Sequence, residues 1–214
     1  MTINHAQAER FALCDLFQVE GPDAETLCEG WTNRDLAAHL IVRETRPDAA
    51  LGIIVAPIAR HGERVRRTVA ARPWTDLVEA VRSGPPRWSP MRPAPIDRAA
   101  NTLEFFVHHE DVRRAQPDWE PRALDAGLES ELWKIISRMA KVMVRKAASG
   151  VVLMPPTRSA VVARRAKAGE ANVELRGDIS ELVMFVEGRQ AHSRVELDGP
   201  EAAADALRSA SFGI

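Results

Sequence analysis

The sequence predicts an α+β protein, an up-down helical bundle over residues 1–149 followed by a small α/β domain over residues 150–214. Three observations predict it. As far as Ala148 the apolar residues recur every three or four positions, the period of a helix with one buried face. After Gly150 the pattern changes to short β-like runs separated by helical segments. With 214 residues, 45% of them hydrophobic, the chain is long and apolar enough to bury a core in one large domain or two small ones.

The first helix is expected over Ala6 to Gln18, where Phe11, Leu13, Leu16 and Phe17 recur at helical spacing, and it stops before Gly21-Pro22. Thr32-Asn33-Arg34-Asp35 resembles a capping box, so a second helix starts at about Trp31 or Thr32 and carries His39 two turns inside it. A third stretch runs from Ala49 to Ala71 with a kink at Pro57, because proline removes a backbone donor and crowds the preceding turn. Five prolines between Ser83 and Pro95, with Gly84 and Trp88, predict a long ordered loop or lid. Asp97 is suited to cap the next helix, which Pro117 ends after Gln116. A last bundle helix spans about Arg122 to Ala148, with Leu124, Leu128, Leu132, Ile135, Met139, Val142 and Met143 on one stripe. In the tail, Val151 to Met154, Asn172 to Leu175 and Arg194 to Leu197 read as strands, and Ile179 to Val186 and Pro200 to Ser209 as helices.

Composition narrows the function. The 29 Lys+Arg and 30 Asp+Glu leave a formal net charge of -1, so no global field holds nucleic acid or an anionic membrane, and a small-molecule role fits better. Cys14 and Cys28 stand in no CxxC or zinc-finger spacing and read as buried or semi-buried thiols of a reducing compartment. The first ten residues carry no basic patch followed by an apolar run, and no apolar stretch reaches transmembrane length. The expectation is a cytoplasmic protein, monomer or homodimer.

One constellation carries chemistry. Glu104 and His108 are four residues apart, which puts both on one helix face a turn apart, and Asp111 shares that face. A carboxylate and an imidazole at this spacing chelate one cation without bending the backbone, and such sites in bundles are completed from a facing helix. His39, set among apolar neighbours, is the natural third ligand. Two histidines and one glutamate leave a tetrahedral cation one open position, the arrangement of a catalytic rather than a structural zinc site. Asp111 is placed to accept the other ring N–H of a ligand histidine. Spacing alone also fits an ordinary surface i,i+4 pair, and the apolar company of both segments argues against it. His109 is rotated by about 100° from His108 and is left a supporting or surface role. His5, His61 and His192 read as solvated.

Gly30-Trp31-Thr32-Asn33-Arg34-Asp35-Leu36-Ala37-Ala38-His39-Leu40, together with Glu104-Phe105-Phe106-Val107-His108-His109-Glu110-Asp111-Val112-Arg113, resembles the N-terminal domain of mycothiol-dependent maleylpyruvate isomerases, part of the DinB-like superfamily. The resemblance covers about 150 residues and implies a four-helix bundle binding a divalent metal, usually zinc, through His39, Glu104 and His108. The tail is similar to the small C-terminal domain of these proteins, from Gly177-Asp178-Ile179-Ser180-Glu181-Leu182 through Gly188-Arg189 to Val195-Glu196-Leu197-Asp198-Gly199. It implies that Arg189 helps to hold the thiol cofactor or an acidic substrate, since guanidinium pairs well with carboxylate. The proline-rich segment does not map onto the isomerases, which points to an uncharacterised subfamily of the same architecture.

The function expected from these residues and from the resemblance is a thiol-dependent, mycothiol-type transferase or isomerase. Its metal, zinc or else nickel, iron or manganese, activates a small-molecule thiol as thiolate toward an electrophilic substrate. Asp111 and Arg189 are the expected catalytic residues, and Arg189 the cofactor-binding one. The alternative is a non-catalytic DinB-like module that binds a metal or ligand or serves a stress response.

Overall fold

The computed structural model describes residues 3–46, 59–86, 89 and 94–212. Its elements make an α+β protein, as the sequence predicts. Helices α1 (His5–Glu20), α2 (Asn33–Thr45), α3 (Ala59–Ala70), α4 (Trp74–Ser83), α5 (Ala94–Arg113) and α6 (Ala126–Met143) come first. Then follow β1 (Gly150–Met154), β2 (Val161–Arg164), β3 (Asn172–Arg176), α7 (Ile179–Val186), a 3₁₀ turn at Gln190–His192, β4 (Glu196–Asp198) and α8 (Glu201–Arg208). The chain divides into two compact units, Met1–Glu120 and Pro121–Ile214. This division lies one helix earlier than the 149/150 boundary read from the sequence, because α6 packs with α7 and β2.

In the first unit α1 packs along α5 and against α4, and α2 packs against α3 and α4. Leu13, Cys14, Phe17, Leu36, Ala37, Leu40, Leu77, Val81, Phe105 and Val112 form its core. Asn4 starts α1, its side chain accepting from the Gln7 N–H at 3.4 Å. At α2 the expected capping box forms: the Asp35 carboxylate accepts from the N–H of Thr32 at 3.2 Å and from its hydroxyl at 3.1 Å. The expected kink at Pro57 lies outside the described residues, as do Arg87, Trp88 and Pro90–Pro93 of the proline-rich segment. Helix α5 begins at Ala94, earlier than the cap expected at Asp97, and so takes Pro95 into its first turn, where no intrahelical N–H bond is lost. Helix α4 is absent from the sequence reading; Pro73 precedes it, and Leu77, Val78 and Val81 bury its inner face.

This core also holds charge. The Arg10 guanidinium forms a bidentate pair with Glu44, both side chains 4% exposed, and stacks 4.1 Å from the Phe105 ring centroid. Asn101 donates to Glu44 at 3.0 Å. His5, read from the sequence as solvated, is buried at the start of α1. His109 is buried too, 2.9 Å from Glu9 of α1, so its role is in the core rather than at the surface.

In the second unit the sheet order is β2-β1-β3-β4, with β1 and β3 parallel and both edge strands antiparallel. The short edge strand β2 is a further element that the sequence reading lacks. Val151 and Leu153 pair with Val173 and Leu175 and turn inward together, as the two-residue period of a strand requires. All eight residues of α7 are buried, which explains why its ends agree with the apolar run in the sequence.

Candidate metal centre

The site is built where α2 faces α5. Because 3.6 residues make a turn, Glu104 and His108 project from successive turns of α5, and His39 meets them from α2. Glu104 Oε1 lies 3.3 Å from His39 Nε2 and 3.4 Å from His108 Nε2. The two imidazole rings stand edge-to-face, their centroids 5.4 Å apart. One ligand atom from each residue lies within 4.8 Å of the others. A tetrahedral zinc ion with ordinary bond lengths needs neighbouring nitrogen and oxygen ligands about 3.4 Å apart, so the two contacts to Glu104 fit an ion of that size.

The surroundings fix the three side chains. Trp31 packs on His39 with ring centroids 5.1 Å apart, and Arg66 stacks on Trp31 at 4.8 Å while pairing with Asp35 and Glu63. Arg43, one turn beyond His39, brings its Nε to 3.2 Å from Glu104 Oε1 and also donates to Asn101. Asp111 is fully buried, and its Oδ2 lies 2.9 Å from His108 Nδ1. It therefore meets the opposite edge of the ring from Glu104. With an ion on Nε2, the same contact would suit a neutral His108 whose Nδ1–H donates to Asp111.

Electrostatics follow from this packing. Burial raises the Glu104 carboxyl, but hydrogen bonds from His108 and His39 and the charge of Arg43 outweigh it and hold the group well below the usual carboxylate range. Burial lowers His39, and the neighbouring Glu104 only partly opposes it. In His108 burial is overcome by hydrogen bonding with Asp111, Cys28 and Glu104, which raises the imidazole well above its ordinary value. With no ion present, these shifts favour a carboxylate beside one neutral and one protonated imidazole. A divalent cation bound at Nε2 would have to displace the proton on His108.

The structure brings together His39, Glu104 and His108, with Asp111 behind them, as the spacing of the motifs suggests. Arg189 belongs to the C-terminal unit, at the end of α7, where its backbone N–H bonds to the Met184 carbonyl and its side chain to the Glu187 carbonyl. Cys28 is the site residue that sequence reasoning set aside. Its thiol donates to Asp111 Oδ2 at 3.3 Å and lies 4.0 Å from His108 Nδ1. Its distance along the chain from His108 hid it, and its place in the Gly21–Thr32 loop is set by tertiary packing.

Two solved structures match this arrangement of elements. A crystal structure of the mycothiol-dependent maleylpyruvate isomerase superposes with a TM-score of 0.60 at 15% identity, over 91% of this chain and 90% of that one. The chain shares this isomerase fold. A histidine-to-alanine mutant of the isomerase gives a TM-score of 0.58 at 14% identity, over the same shares of both chains. No family model and no curated protein sequence matches. The structural match extends over both units, a helical domain followed by a small α/β domain. Among the described residues no helix is long and apolar enough to cross a membrane.

Proposed function

We propose that this protein binds one divalent cation through His39, Glu104 and His108 and acts as a thiol-dependent, mycothiol-type transferase or isomerase on a small electrophilic substrate. The observation that carries the reading is the placement of Asp111. It lies against Nδ1 of His108, away from the edge that faces Glu104 and His39, so it is not a fourth ligand to the same ion. Among the described residues the ligand group has three members, which leaves a coordination position for a thiol or water. When bound, zinc or a similar ion lowers the pKa of a coordinated thiol and so supplies a thiolate at neutral pH.

The chain's own residues do the rest. His39 and His108 present neutral nitrogens, and Glu104 supplies the negative charge. Asp111 holds the His108 ring in one tautomer and orientation. Arg43 stands beside Glu104 as a fixed cation, suited to an acidic group on the substrate. Arg189 is the proposed contact for a carboxylate of the thiol or of the substrate. The likeness of fold to an enzyme that depends on mycothiol supports the choice of thiol.

A non-catalytic metal- or ligand-binding module is the second reading. Arg43 bears on it, because its pairing with Glu104 occupies the guanidinium that an acidic substrate group would need. The two readings separate in one experiment: thiol consumption by the purified protein with a panel of electrophiles, before and after chelation. Thiol-dependent turnover abolished by chelation and restored by zinc is expected; full activity after chelation overturns the catalytic reading.

A further inference from the structure

Behind the first cluster lies a second group of three donors, Cys28, His108 and Asp111. The Cys28 sulfur is 3.3 Å from Asp111 Oδ2 and 4.0 Å from His108 Nδ1, and the latter two atoms are 2.9 Å apart. A tetrahedral ion with one sulfur, one nitrogen and one oxygen ligand needs those atoms about 3.4–3.6 Å apart. The pairs deviate from that by up to about half an ångström, within the reach of small side-chain rotations.

The loop that carries Cys28 is tied to α5 at the same place. The Leu27 N–H donates to the Asp111 carbonyl at 3.1 Å, and the Cys28 N–H to Thr26 Oγ1 at 3.2 Å. Trp31 N–H closes the turn on the Cys28 carbonyl at 2.9 Å, and Glu25 bridges Thr32. Asp111 is fully buried and Cys28 half-buried, so the donors are held in place yet reachable. Among the described residues Cys14 belongs to no such group: its thiol points at the Val78 carbonyl, 3.8 Å away in the core.

We propose that Cys28 Sγ, His108 Nδ1 and Asp111 Oδ2 form a second cation site, whose thiolate selects soft, thiophilic metal ions. Sulfur prefers such ions, while the His39–Glu104–His108 group offers only nitrogen and oxygen. The two sites share one imidazole. A neutral ring has a single lone pair, so an ion on Nδ1 leaves the proton on Nε2 and removes His108 from the first group. A soft ion at the second site thereby weakens binding at the first. That competition rests on the metal reading of the first group; the second site itself does not.

The test titrates the metal-free protein with cadmium and follows the ultraviolet thiolate-to-cadmium absorption. One equivalent of absorbing cadmium is expected in the wild type and in His39→Ala, which disables only the first group. Cys28→Ser should lose the absorption while keeping the wild-type circular dichroism spectrum and thermal melt. Equal absorption in Cys28→Ser, or none in His39→Ala, overturns the proposal. Cadmium should also release zinc from the zinc-loaded wild type and leave it bound in Cys28→Ser; equal release from both refutes the competition. Failure of the first group shows separately, as zinc binding unchanged by His39→Ala at equal cadmium absorption.

Discussion

His108 Nδ1 lies 2.9 Å from Asp111 Oδ2, across the ring from the edge that meets Glu104. A histidine held between two carboxylates has its orientation fixed before any ion arrives. The first two predictions follow from that relationship.

The wild-type protein should bind zinc tightly at the first group, and His39→Ala and His108→Ala should each lose that binding. Elemental analysis after dialysis, on variants whose circular dichroism matches the wild type, checks it. Equal metal content in all three proteins would remove the basis of the proposed function.

Asp111→Asn keeps the size of the buried side chain but removes the charge that orients His108. Partners of this kind are worth about 10–100-fold in metal affinity, and zinc competition against a chromophoric chelator should show a loss in that range. Unchanged affinity would mean that Asp111 does not act through His108.

The pH dependence of the metal-free protein has a defined shape. His108 is raised above its ordinary 6.5 in the fold, so its stabilising contribution is complete below about pH 6.5 and is lost as pH climbs through the raised value. Glu104 is lowered below its ordinary 4.5, so its contribution is complete above about pH 4.5 and is lost as pH falls through the depressed value. Thermal melts in chelator should show the contribution of this pair greatest between those limits, with the alkaline decline reduced in His108→Gln. Zinc affinity should rise over the same alkaline limb, because binding displaces the His108 proton.

Glu44 and Arg10 test the core. Removing one partner of a buried pair leaves the other charge uncompensated, which costs about 3–5 kcal/mol, and Glu44→Ala should lose that much in urea unfolding. A cost below about 1 kcal/mol, the value of a surface pair, would show that water reaches Arg10.

The two thiols should differ in reactivity. Burial pushes the Cys14 thiol up to about 12, so it stays protonated and inert in the native protein. Mass spectrometry after native alkylation should find Cys14 unmodified, and one further thiol should react once the chain is unfolded. Rapid native labelling of Cys14 would contradict its burial.

Local physics made much of this protein legible in its sequence. Helical pitch alone puts Glu104, His108 and Asp111 on one face of α5, and the Thr32–Asp35 capping box marks the start of α2. The apolar run of α7 identifies it because every residue of that helix is buried. Strand β2, a four-residue edge paired on one side, offers too little pattern to be seen. Helix α4 was hidden between an arginine-rich stretch and the proline-rich segment. Tertiary packing decided the rest. His39 and Glu104 are 65 residues apart, and only the fit of α2 against α5 brings them to 3.3 Å. Cys28 reaches Asp111 across 83 residues because a loop is tied by its backbone to α5. Side-chain period fixes neighbours within a turn, whereas contacts between distant segments depend on how buried faces fit together, and no local pattern records that fit.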